Sequence, residues 1–279
     1  MKESTWIARI FYQTVIGRLL LRLIQISHAE WLIILFLSSP LSRPLVALHI
    51  RRYGIPSAER LQRPFHSYRE FFARSRRDAD FDAATDHLIS PCDGWLSACP
   101  IQADSSFAIK GSHYRLEDLL GDRKLAQNYH GGDCLIFRLC LSDYHRYCYI
   151  DDGYQGKHHY IQGVLHSVQP VACEKYPVFV LNRRCWSLLT TEHFGPVVQT
   201  EVGALLVGGI FNQMQNTRFC KGMEKGRFEL AGSTITLLFE RGRICLREEL
   251  MRKMETEGEV RVCQGMWIGD RMDTVEERK

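Results

Sequence analysis

A chain of 279 residues, 45% hydrophobic and 24% charged, can bury a sizeable core and is too ordinary in composition for a disordered or polytopic membrane protein. Its 36 basic and 32 acidic residues leave a formal charge of +4, too small to point to nucleic acid. The ten cysteines, with no C-x-x-C spacing and no visible secretory signal, read as reduced thiols and suggest neither a disulfide framework nor a metal site.

Taken in chain order, residues 5–52 predict apolar helices, with WIARIFYQTVIGRLLLRLIQI followed by WLIILFL and a stop at Ser38-Ser39-Pro40. Arg9, Arg18, Arg22, Arg43, Arg51 and Arg52 make this end basic, which suits an anionic lipid surface. The longest uncharged run, Trp31 to Ser42, falls short of the ~20 residues a spanning helix needs. The region is therefore expected to lie on a membrane or to pack on the body. Residues 53–89 are polar and predict a short helix and a connector. From residue 90, short apolar runs alternate with turn signals: GWLSACPI, CLIFRLCL, HYIQGVLHSV, PVFVLN, ALLVGGIF and STITLLFERG. An α+β chain is predicted, with N-terminal helices at 1–52, a connector at 53–89 and a strand-rich domain at 90–279.

Three groups of residues could carry chemistry. The glycine-rich stretch KGMEKGRFELAGST reads simply as a turn feeding a strand. A sharper reading is that Gly232, lacking Cβ, leaves its carbonyl open to attack by the Ser233 hydroxyl. An ester would follow, and base-assisted elimination with hydrolysis would leave a pyruvoyl group. Asp93 in SPCDG, His145 in LSDYHRYCYI and His166 in GVLHSVQP are the acid–base candidates, although each has an ordinary structural role open to it.

The order of these motifs resembles the phosphatidylserine decarboxylase family over most of the chain. FHSYREFFARS, SPCDG, IKGSHYRLEDLLG, FRLCLSDYHRY, GVLHSVQP, VLNRR, EVGALLVGGIF, KGMEKGRF and AGST follow one another as in that family. The resemblance implies a self-processing proenzyme cut between Gly232 and Ser233 into a β chain, 1–232, and an α chain, 233–279. Ser233 then supplies the covalent pyruvoyl cofactor, which forms a Schiff base with phosphatidylserine and yields phosphatidylethanolamine. It also implies an Asp–His–Ser relay with Asp93 and Ser233 in two of its places. The histidine is less direct, because the family pattern Tyr-His-Arg-x-His here reads Tyr144-His145-Arg146-Tyr147-Cys148. Either His145 serves both cleavage and decarboxylation, or His166 folds in as a second base, or Cys148 substitutes, in that order of preference. An imidazole titrating near ~6.5 is a readier acceptor than a thiol near ~8.5.

The implied partners are phosphatidylserine, the cytoplasmic face of a membrane bound peripherally and the two cleaved chains; a homo-oligomer is compatible with the sequence, which leaves the oligomeric state open. No metal or nucleic acid is expected. A serine hydrolase using Ser233, His145 and Asp93 is the enzymatic rival, but Leu230-Ala231-Gly232-Ser233-Thr234 lacks the G-x-S-x-G elbow. A membrane-bound scaffold that has lost processing is the other. Both rivals would remain a single intact chain.

Overall fold

Helices come first and antiparallel strands with short helices between them follow, in a computed structural model that describes residues 6–27, 30–55, 64–76, 80–104, 106–109, 112–204, 209–230 and 233–272. Gly232 lies outside the described residues. Helices α1 (Trp6–Gln13) and α2 (Val15–Ser27) turn Ala8, Tyr12 and Leu21 into the core and leave Ile16, Leu19 and Leu23 exposed. Helix α3 (Glu30–Ser38) stops where expected, but Pro40 begins a single 3-10 turn, Pro40–Ser42, and α4 (Arg43–Tyr53) resumes directly. Proline is tolerated in a first helical turn, so it marks a bend here and not an end to the helical region.

Helix α5 (Tyr68–Phe72) is fixed by its cap: Ser67 Oγ accepts from the Glu70 N–H at 3.2 Å while Glu70 Oε2 accepts from the His66 N–H at 2.6 Å. The body then runs β1 (His87–Ile89), β2 (Gly94–Pro100), β3 (Ser106–Ile109), β4 (Ser112–Arg115), α6 (Leu116–Leu120), α7 (Arg123–Gln127), β5 (Asp133–Leu139), β6 (Arg146–Cys148) and β7 (Gly153–Ile161). It continues through α8 (Pro170–Cys173), α9 (Val178–Leu181), β8 (Arg184–Thr191), β9 (Pro196–Val202), β10 (Gly209–Asn212), β11 (Thr217–Phe219) and β12 (Glu224–Glu229). The last elements are β13 (Ser233–Phe239), β14 (Ile244–Leu246), α10 (Glu248–Glu257), β15 (Val260–Val262) and β16 (Trp267–Arg271).

Eight strands form one sheet in the order β11-β7-β8-β9-β13-β5-β2-β15, with smaller sheets β1-β16-β14 and β10-β12-β6 beside it. Side chains alternate across its faces. From β5 and β13, Leu135, Phe137, Ile235 and Leu237 enter one core cluster, whereas Ile136 and Leu238 enter the other with Tyr12, Leu21 and Val171. The central strand β13 is thus buried on both faces, which explains its uninterrupted apolar run after Thr236. The α+β, strand-rich architecture agrees with the sequence reading.

Two segments differ from that reading. HYIQGVLHSV is a strand only as far as Ile161, and PVFVLN forms the one-turn helix α9 behind Pro177. Val178 and Phe179 still enter the core, as either period would allow for so short a run. All ten cysteines are free thiols.

Candidate active site

Strand register brings the candidate residues to one end of the large sheet. Trp95 of β2 sits opposite Arg138 of β5, and Leu139 of β5 sits opposite Ser233 of β13. The turn holding Asp93 and the first residue of β13 therefore flank the end of β5, about 10 Å apart as two inter-strand spacings require. The chain leaving β5 supplies His145. The close packing depends on Gly94, where a Cβ would lie 2.9 Å from the Arg138 carbonyl oxygen.

Ser233 is fully buried, and its Oγ has no hydrogen-bond partner among the described residues. His145 is buried as well, and its Nε2 is likewise unpartnered. Its Nδ1 lies 2.9 Å from the Asp143 backbone carbonyl, which can only accept, so Nδ1 carries the proton and Nε2 presents the lone pair. Burial lowers its pKa from the ordinary 6.5 to about 4, against the opposing pull of Asp143. At neutral pH this imidazole is therefore a free base. The ring leans on Phe72 of α5 at 4.1 Å, and the His145 carbonyl accepts from the Phe228 N–H at 2.9 Å. Arg146 fastens the next position, donating to the Ala73 and Arg74 carbonyls and pairing with Glu224 at 2.7 Å.

Asp93 is buried and ion-paired. Arg76 spans both its oxygens at 3.2 Å, and the Gln264 backbone N–H donates to Oδ1 at 2.8 Å. Asp143, two residues before His145, pairs with Arg261 at 2.8 Å and accepts from the Cys140 N–H at 2.6 Å. Cys148 lies close to Asp93, and its buried thiol is pushed up to about 12 by desolvation. A thiol in that state is a poor base.

His166 is placed differently. Its Nδ1 is 3.4 Å from the Tyr12 hydroxyl, its ring stacks on Tyr176 at 4.6 Å, and its backbone is held by Asn182. Burial lowers its pKa too. None of its hydrogen bonds reaches Asp93, His145 or Ser233. Sequence reasoning missed Arg76, Gln264 and Asp143. Asp143 stood in SDYH beside the histidine, whereas Gln264 had no local signal at all.

The model of the phosphatidylserine decarboxylase family matches residues 68–269, well over half of the chain. The chain belongs to the phosphatidylserine decarboxylase family. Among curated proteins it is 38% identical over 268 residues to phosphatidylserine decarboxylase proenzyme 2 of Clostridium acetobutylicum, covering 95% of this chain and 92% of that one. It is 37% identical over 245 residues to the phosphatidylserine decarboxylase proenzyme of Ruminiclostridium cellulolyticum, covering 85% and 82%. The Clostridium tetani proenzyme is 35% identical over 241 residues, covering 84% and 81%. The phosphatidylserine decarboxylase family is defined by an autocatalytically generated pyruvoyl group, and in this chain the buried Ser233 hydroxyl has no hydrogen-bond partner among the described residues.

Proposed function

We propose that this chain is a proenzyme that cuts itself between Gly232 and Ser233 and then decarboxylates phosphatidylserine to phosphatidylethanolamine. The observation that carries the reading is the pair of buried, unpartnered atoms, Ser233 Oγ and His145 Nε2, at one end of the β2-β5-β13 strands. A buried hydroxyl without a hydrogen bond costs about 1–3 kcal/mol, and Ser233 sits opposite Leu139, from which the chain runs on to the unprotonated Nε2 of His145.

The self-cleavage balances as follows. His145 Nε2 takes the Ser233 hydroxyl proton, Oγ attacks the Gly232 carbonyl, and the Gly232–Ser233 C–N bond breaks to give an ester and a free amine. Base then removes the Cα proton of residue 233, and the Gly232 carboxylate leaves. Water then adds to the imine form of the dehydroalanine left at position 233 and ammonia leaves, which gives the pyruvoyl end of a chain running 233–279, with 1–232 as its partner. His145 is assigned both steps, because the Cys148 thiol is held neutral and His166 is engaged elsewhere. The pyruvoyl carbonyl supplies the electron sink for loss of CO₂ from a bound primary amine. Asp93 acts on His145 from a distance, since its own oxygens are taken by Arg76 and Gln264.

The N-terminal helices support a peripheral membrane site. Val15, Ile16, Leu19 and Leu23 are exposed on α2, which also carries Arg18 and Arg22, and Trp31 and Leu35 are exposed on α3. Among the described residues no single helix is long and apolar enough to cross a membrane, although Trp31–Ser38 and Pro40–Tyr53 pass the test together across an 80° bend. On this reading residues 1–52 rest on the cytoplasmic face, 53–89 connect and 90–279 catalyse, alone or as a homo-oligomer.

Intact-mass analysis of the purified protein tests the cleavage. Two polypeptides, the smaller starting at residue 233 and blocked by a pyruvoyl group, are expected, with Ser233→Ala remaining one chain. A folded wild-type chain that stays whole on incubation overturns the proposal.

A further inference from the structure

Arg76 stands where three segments of the site meet. Its guanidinium forks across both oxygens of Asp93, and Nη2 also donates to Gln264 Oε1 at 3.3 Å. The same group lies over the Tyr144 ring, 4.4 Å from its centre, while the Arg76 backbone N–H donates to the Tyr144 hydroxyl at 3.0 Å. Tyr144 is bonded directly to His145. One side chain thus ties the Asp93 turn and the Gln264 turn to the loop that carries the imidazole.

We infer that Arg76 is a positioning residue for self-cleavage, which holds the His145 loop against the Asp93 turn and so keeps Nε2 directed at Ser233. The inference rests on the self-cleavage reading above. Two features distinguish this clamp from an incidental ion pair. Position 148, close to Asp93, holds a buried thiol in place of a cation, and the cation hydrogen-bonded to both oxygens of that carboxylate is Arg76, from the segment after α5. In addition, the His145 Nδ1 proton goes to the Asp143 carbonyl and the Asp93 oxygens go to Arg76 and Gln264. Among the described residues no hydrogen bond joins Asp93 to His145. The connection between them runs through Arg76 and Tyr144. Only a planar, forked cation satisfies the carboxylate at two points while stacking on a ring, so lysine should replace it incompletely.

The test follows cleavage of wild-type, Arg76→Met and Arg76→Lys precursors made by cell-free synthesis, quenched at intervals between about pH 3 and pH 8 and read by intact mass. His145 faces Asp143, Asp93, Arg74 and the Phe72 ring, and burial sets its pKa near 4. Lowering the pH through that value protonates Nε2, so the wild-type rate should fall only at the acid end. Arg76→Met should cleave at least tenfold more slowly at pH 7, and its acid limb should move up towards the ~6.5 of a hydrated imidazole as the loop loosens. Arg76→Lys should fall between the two in rate, and its limb decides the matter if the methionine variant does not fold. Cleavage of Arg76→Met at the wild-type rate overturns the inference. So does a loss that only tracks the folded fraction by circular dichroism while the acid limb stays in place. An uncut wild-type chain would sink the self-cleavage reading and this inference together, whereas a cut wild type with an indifferent Arg76 sinks the inference alone.

Discussion

Leu230, two residues before the glycine of the proposed cut, has a φ of 67°. A leucine in the left-handed region costs roughly 1–2 kcal/mol, and such a cost persists only where neighbours enforce it. They do so here: the Phe228 N–H is held by the His145 carbonyl, the Glu229 carboxylate pairs with Arg69 and Arg227, and the Leu230 side chain is buried. On the far side Ser233 is already pinned in the β13 ladder against Leu139. Glycine relieves the backbone and alanine does not, while both discard the buried side chain. Leu230→Gly is therefore expected to be about 1 kcal/mol more stable than Leu230→Ala in urea titrations of the uncut Ser233→Ala background. Equal stabilities would show that the backbone there is relaxed.

At the scale of strands, the small sheet bearing Cys148, whose strand β6 begins one residue after His145, is fastened to the large one by a fully buried ion pair. Lys225 of β12 donates to Glu201 of β9 at 2.7 Å, and Asn212 of β10 donates to the other Glu201 oxygen at 3.0 Å. Asn212 in turn accepts from the Tyr147 hydroxyl at 2.9 Å, one residue from Cys148. Removing one buried charge strands the other. Lys225→Met should destabilise the fold by about 3–5 kcal/mol, and Lys225→Met with Glu201→Met should recover much of that loss in urea titrations. A double variant no better than the single one would show that the pair is not the source of the cost. Such pairings also mark what the sequence could disclose. The strands β5 and β13 were legible because their apolar runs are long enough to fix a period and are bounded by turn residues. PVFVLN was not, since four apolar residues suit a strand or one helical turn equally. Asp93, His145 and Ser233 were singled out as candidates by the order of short motifs, and the structure shows all three buried. Arg76 and Gln264 were not singled out, because the Gln264 amide reaches Asp93 across 171 residues, a proximity that only the closed sheet creates.

For the whole molecule, α1 and α2 join the body to an apolar outer surface. Tyr12 is buried against Tyr176 and His166, and its hydroxyl accepts from the Ser167 N–H at 2.7 Å, while Ile16 and Leu19 on the next helix face outwards. Replacing Leu19 and Leu23 with glutamate removes apolar surface and adds charge without touching the core. Flotation with phosphatidylserine-containing vesicles should then fall at least tenfold while self-cleavage proceeds normally. Unchanged flotation would remove these helices from the membrane contact.

The position of Ser233 at the start of a central strand has one more consequence. Strand β13 is hydrogen-bonded between β5 and β9, and of the strands that follow it β15 pairs with β2 and β16 with β1, both of which precede the cut, while β14 pairs with β16. Once the bond is severed, the two pieces remain interleaved in the same sheets, held by contacts formed while they were still one polymer. The uncut chain folds in a unimolecular reaction. The mature enzyme, if unfolded, would have to reassemble bimolecularly, from a short strand donor and an acceptor with an open slot at its centre, so maturation turns a concentration-independent folding equilibrium into one that dilution can undo.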